Sequence, residues 1–229
     1  MYRRAHHQRI GQLLGALDAG FLLDNACYFA GGTAIVLQLD EYRESLDVDL
    51  MCASQDGYRA LRSTVNNRSL GNIAKTPLPL AREVRADRYG IRTFVEVDGV
   101  PIRLEIVREA RIELAGELHA DLSVPLLSRP DLYAEKLLAN ADRCDDRSTA
   151  SRDIVDLAMM IRCWGPVPEV AWAKARGAYG DSVDNAFAAA RAKVAEPSYL
   201  RACLARLQMD ARLADDIARA LALAPVPPP

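Results

Sequence analysis

The sequence predicts an α+β protein, in which a small mixed β-sheet core with flanking helices precedes a helical C-terminal lobe. Three observations predict it. Residues 46–51, "LDVDLM", alternate apolar and polar side chains, the period-2 pattern of a half-buried strand. Asp98-Gly99 lies between two alternating runs in "YGIRTFVEVDGVPIRLEIV", the strongest short-range hairpin signal. After Pro125 the chain turns to successive segments with helical apolar spacing, many rich in alanine.

In chain order, Ile10, Leu13, Leu14 and Leu17 recur at helical spacing and predict a first amphipathic helix over about 8–17. Tyr28, Phe29 and Ala30 lead to the Gly31-Gly32 break, and Thr33 is the expected N-cap of a short helix running to Leu39. On the following strand Leu46, Val48 and Leu50 share one face, and Asp47 and Asp49 the other. A helix is expected over 55–67, then β-rich sequence. In the second arm of the hairpin Ile102, Leu104 and Ile106 oppose Arg103, Glu105 and Val107. Further helices are expected over 131–143, 151–164, 170–179, 183–195 and 207–223. The proline-rich end cannot form a regular element. The domain reading is a core over 1–124, a helical lobe over 125–223 and a flexible tail over 224–229, with the joint near 122–130.

The chain has 229 residues, half of them hydrophobic and 26% charged, which is the composition of an ordinary globular protein with a sizeable core. A net charge of -2 provides no global basic field, so contact with nucleic acid would have to come from a local patch. Lysine is scarce: Lys75, Lys136, Lys174 and Lys193 are the whole set. The five cysteines include no CxxC pair, which argues against a disulfide framework or structural zinc and for a reducing, cytoplasmic compartment. The N-terminus lacks the apolar stretch of a secretory signal, and no apolar run is long enough to span a membrane.

The candidate site begins with two like charges. Two residues apart on a strand, Asp47 and Asp49 emerge on one face about 7 Å apart at the backbone. They repel unless solvent screens them or a cation lies between them. Alone, such a pair also suits a solvent-facing strand that resists edge pairing. The glycine pair adds weight, because Gly31-Gly32-Thr33 at a helix start lets backbone N–H groups approach an anion. A phosphate cradle and two carboxylates are the parts that hold a nucleoside triphosphate and its metal. Glu105 is the candidate third carboxylate of a two-metal clamp, with Arg103 as a competing ion-pair partner. His6, His7 and His119 read as surface histidines, and Trp164 as a packing aromatic at a helix end. Arg82, Arg85, Arg88 and Arg92 read equally as a basic strip for RNA phosphates or a solvated strand face.

The ordered set "GGTAIVLQLDEYRESLDVDL", the lysine of "DLYAEKLLANADR" and the "SRDIVDLAMM" helix resembles the polymerase-beta-like nucleotidyltransferase superfamily, in particular its AbiEii/AbiGii toxin branch. Arg43 and Ser45 fill that branch's R-x-S places, with Tyr42 where its relatives often carry histidine. Arg152, Asp153, Asp156 and Leu157 fill its K/R-D-x-x-D-L helix. The resemblance implies transfer of NMP from an NTP to a hydroxyl, dependent on Mg²⁺ or else Mn²⁺. It also implies an RNA acceptor such as a tRNA 3′ end, and a toxin paired with a cognate antitoxin or acting in phage defence. A small-molecule or protein acceptor is the alternative, and a catalytically inactive nucleotide- or partner-binding module is another. The implied metal ligands are Asp47, Asp49 and Glu105, and the implied nucleotide contacts are Gly31, Gly32, Thr33, Arg43, Ser45 and Lys136. Of the two helix aspartates, Asp153 is expected to orient Lys136 or Arg152, and Asp156 to be a solvated charge.

Overall fold

The computed structural model describes residues 2–224, so most of the proline-rich tail lies outside the described residues. The chain separates into two compact units. One comprises Met1–Leu37 and Ser45–Ser128, the other Gln38–Glu44 and Arg129–Pro229.

The first unit is built on a mixed sheet, seven-stranded among the described residues. Its strands are β1 (Cys27–Ala30), β2 (Val48–Cys52), β3 (Leu80–Ala86), β4 (Gly90–Val97), β5 (Val100–Arg108), β6 (Gly116–His119) and β7 (Val124–Leu127). They lie in the order β3-β4-β5-β2-β1-β7-β6, with β2–β5 and β1–β7 parallel and the other neighbours antiparallel. The β4–β5 arms close at the Asp98-Gly99 turn, where both residues have positive φ (50° and 75°) and Val97 pairs with Val100. That is the backbone a two-residue hairpin turn demands, and it fixes the register. Val48, Leu50, Ile91, Val95, Ile102, Leu104 and Ile106 fill the apolar face. Helices α1 (Ala5–Ala16) and α4 (Gln55–Thr64) pack on this sheet through buried Ile10, Leu13, Leu14, Tyr58 and Leu61. A short α2 (Ala19–Asp24), capped by Asp18, packs against β1 and β7.

The second unit contains α5 (Arg129–Arg143), α6 (Arg152–Trp164), α7 (Glu169–Tyr179), α8 (Ser182–Val194), α9 (Pro197–Arg206) and α10 (Ala214–Ala222). Trp172 and Phe187 meet edge to face at 5.2 Å in its core. Trp164 ends α6 and packs edge to face on Tyr133 at 6.1 Å.

Four local expectations are corrected. The short helix, α3 (Gly31–Gln38), begins at Gly31, so Thr33 lies inside its first turn rather than capping it. Leu46 precedes β2 and is 53% exposed, because the strand starts only where pairing with β5 begins, at Val48. The continuous helix expected over 207–223 is broken: Gln208 has φ 54°, and Asp210 caps a 3₁₀ turn at Ala211–Leu213. The α9 helix before that break starts from a Glu196 cap with Pro197 in its first turn. Finally, His7 is fully buried rather than a surface residue.

Candidate active site

The open face of the sheet carries the first cluster. Ala30, Asp49, Glu105 and Arg92 are in register across β1, β2, β5 and β4. Gly31 follows directly, with φ 71°. A Cβ added there would stand 2.5 Å from Asp49 Oδ2, so only a glycine lets this carboxylate lie against the turn at the head of α3. The sequence shows both features, and the structure adds that they touch.

The turn is tied to the aspartate strand from behind. The buried Thr33 donates through Oγ1 to the Asp47 carbonyl (2.5 Å) and shares a second hydrogen bond with Ser45 Oγ (2.8 Å). His7 Nε2 accepts the Ser45 backbone N–H at 3.1 Å, and the His6 ring donates to the Leu46 carbonyl at 2.9 Å. Thr33 and Ser45 therefore act here as ties that hold Asp47 in place. A histidine pair on an N-terminal helix gives no spacing signal for this, because its partners lie about forty residues on.

Glu105 is placed beside Asp49, but arginines hold it. Arg92 Nε donates to one of its oxygens at 2.6 Å and Arg103 to the other, while Arg103 also stands 3.7 Å from Asp47 Oδ2. Among the described residues no group of three His, Cys, Asp or Glu side chains is arranged to hold a metal ion. Asp47 and Asp49 are hard oxygen donors beside the glycine turn at the head of α3. A pair of this kind fits Mg²⁺, which commonly takes one or two carboxylates and completes its shell with phosphate oxygens and water.

The helical unit carries the second cluster, centred on the Asp156 carboxylate, which is fully buried rather than solvated. Arg43 grips it with two prongs, Nε to Oδ1 at 2.7 Å and Nη2 to Oδ2 at 2.8 Å. Tyr42 donates its hydroxyl to Oδ1 at 2.6 Å, and Lys136 Nζ lies 2.8 Å from Oδ2. Lys136 also donates to Asp153 at 2.9 Å, and Arg143 reaches both Asp153 oxygens at 3.0 Å. Asp153 and Asp156 meet Lys136 together because three residues is nearly one helical turn on α6; Arg152 points to solvent.

Burial alone would raise both carboxyls. Instead Arg43 and Lys136 hold Asp156 well below the usual carboxylate range, and Lys136 and Arg143 lower Asp153. Burial and the Asp156 charge push the Tyr42 phenol well up. Asp142 also acts on Arg143, so Arg43, Lys136 and Arg143 stand against Asp142, Asp153 and Asp156. Arg43 spends its remaining contact on the Glu44 carbonyl (2.8 Å) and is buried, so it positions the 38–44 segment rather than presenting itself to a nucleotide.

A family model described as nucleotidyl transferase AbiEii toxin, type IV toxin–antitoxin system, matches residues 12–224. The chain belongs to this AbiEii family. It is a nucleotidyltransferase, and the family's toxin–antitoxin character implies an antitoxin partner and an NTP substrate. Two Helicobacter pylori structures are similar in fold, each at 15% identity. JHP933 superposes with a TM-score of 0.55 over 97% of this chain and 93% of that chain. A provisionally assigned nucleotidyltransferase superposes at 0.54 over 95% and 92%. No curated protein matches the chain in sequence. Among the described residues no helix of this AbiEii-family protein is long and apolar enough to cross a membrane.

Proposed function

We propose that this protein transfers a nucleoside monophosphate from an NTP to a hydroxyl of RNA, in particular a tRNA 3′ end, with Mg²⁺ as the metal. The acceptor oxygen forms a bond to the α-phosphorus, the bond to the bridging oxygen breaks, and pyrophosphate leaves. Asp47 and Asp49 would hold the metal, which supplies charge neutralisation for the phosphates. The carrying observation is the contact between Gly31 and Asp49, since it sets a carboxylate against a turn whose backbone N–H groups suit phosphate.

The chain's own groups divide the remaining work. Thr33 and Ser45 keep Asp47 fixed to the head of α3. Lys136 is oriented by Asp153 and Asp156, which occupy two of its three N–H donors and leave one for a phosphate oxygen. Glu105 becomes a proton acceptor for the attacking hydroxyl only once Arg103 or Arg92 lets go of it. The scarcity of lysine elsewhere supports its assignment to the triphosphate.

The test incubates the protein with each α-labelled NTP, Mg²⁺ and total RNA, and follows both pyrophosphate and the label. Label on RNA that is lost in Asp49→Asn supports the reading. Label on protein or on a small molecule replaces the acceptor, and full labelling by Asp49→Asn removes the metal assignment.

A further inference from the structure

The polar face of the sheet does not end at its carboxylates. Two rows of side chains cross it in register. One runs Arg85, Arg92, Glu105, Asp49, and the other runs Arg82, Phe94, Arg103, with Asp47 just before β2 standing 3.7 Å from Arg103. Each row ends at an aspartate on or just before β2 and at an arginine on the β3 edge.

The basic end is incompletely neutralised. Arg92 and Arg103 have carboxylate partners, but among the described residues Arg82, Arg85 and Arg88 have none. Arg85 stands directly opposite Arg92 on the neighbouring strand, and like charges in that position destabilise a sheet unless an anion lies over them. Glu83 is the exposed acid on the same strand, and Asp87 is turned to Arg92 at 3.7 Å. The Arg82 guanidinium lies over the Phe94 ring at 4.6 Å and that of Arg88 over Tyr89 at 4.5 Å, which holds both side chains by cation–π contact. Tyr89 itself is 60% exposed at the β3–β4 turn.

We propose that this arginine flank is the track for the acceptor, and that what lies on it is the phosphodiester backbone of single-stranded RNA. The inference rests on the RNA-acceptor reading above and adds the surface that carries it. A guanidinium fork matches phosphate oxygens, and an exposed tyrosine beside it offers a stacking face to an unpaired base. Three strand spacings, about 14 Å, separate Arg85 from Asp49 along the row. A few nucleotides bridge that span, so a backbone held at β3 delivers its terminal hydroxyl to the aspartate pair. The other polyanion that could suit the patch is an acidic polypeptide, and the test separates the two.

The test measures binding of the full-length protein to a fluorescent single-stranded RNA over a salt series, for wild type, Arg82→Gln/Arg85→Gln, Arg82→Lys/Arg85→Lys and the control Arg201→Gln on α9. The glutamine pair should bind at least about tenfold more weakly, and its log–log salt slope should be shallower by about 1.4, at about 0.7 per lost single-strand contact. The lysine pair, which keeps the charges, should retain most of the slope, and Arg201→Gln should match wild type. RNA that wild type labels and binds, with the glutamine pair unchanged in affinity and slope, overturns the track while leaving the RNA acceptor standing. Wild type that neither binds nor labels RNA overturns both. Binding of polyglutamate that depends on Arg82 and Arg85, with no such dependence for RNA, assigns the surface to a protein and overturns the inference.

Discussion

Replacing Gly31 by alanine perturbs the contact on which the functional reading stands. Two costs follow from the structure. Alanine at φ 71° carries the penalty of a left-handed backbone, about 1–2 kcal/mol. Its Cβ would stand 2.5 Å from Asp49 Oδ2, so the carboxylate must retreat to the 3.4 Å of ordinary contact, a shift of about 0.9 Å. For a protein of this size the first cost lowers Tm by roughly 2–8 °C. The second moves the proposed metal ligand by an amount that typically costs about a hundredfold in rate. Pyrophosphate release with saturating NTP and Mg²⁺ reads the rate, and a thermal melt reads the fold. A variant that melts a few degrees lower and works about a hundredfold more slowly agrees with this account. Wild-type turnover by Gly31→Ala would refute it, because the approach of Asp49 to the turn would then be irrelevant to catalysis.

The second cluster gives further expectations. Asp156→Ala strands Arg43 and Lys136 and should cost about 3–5 kcal/mol, read as a large fall in denaturation midpoint. Arg43→Lys loses the two-pronged grip and should lower stability while leaving KM for NTP close to wild type; a KM effect without a stability effect would make Arg43 a nucleotide contact instead. Because the folded-state carboxyls of Asp153 and Asp156 are lowered, their stabilisation is present above the unfolded value of about 4 and is lost as pH falls below it. An acid titration of stability should therefore be flatter for Asp156→Asn than for wild type. On the sheet, Arg103→Gln frees an oxygen of Glu105 and removes a cation near Asp47, so Mn²⁺ measured by EPR should bind more tightly than to wild type.

What the sequence revealed follows local pattern. Alternation around Val48 and the Asp98-Gly99 pair are signals carried within a few residues, and the strand and hairpin form there. Strand β1 gave no such signal, because all four of its residues are buried between β2 and β7 and nothing alternates. Strands β6 and β7 are four residues each and were equally silent. The break at Gln208 is decided by one left-handed residue inside an apolar periodicity that otherwise continues. At the site, residue types and order pointed to Asp47, Asp49, Lys136 and Asp153. Contacts across long separations stayed hidden, among them His7 behind Ser45, the two arginines on Glu105 and the burial of Asp156. Charge and spacing look the same for a solvated aspartate as for one that three side chains enclose.

The Gln38–Glu44 segment, which groups with the helices although sheet elements flank it, sets a timetable for synthesis. Arg43 leaves the ribosome 113 residues before its partner Asp156. At cellular rates of about 5–20 residues per second, roughly 6–23 seconds pass between them. Throughout that interval Tyr42 and Arg43 lack the carboxylate they share, and Lys136, when it emerges, lacks both of its carboxylates. A nascent or truncated chain that stops short of α6 thus lacks the buried carboxylate cluster that holds Arg43 and Lys136, which forms only after about two thirds of the polypeptide has been made.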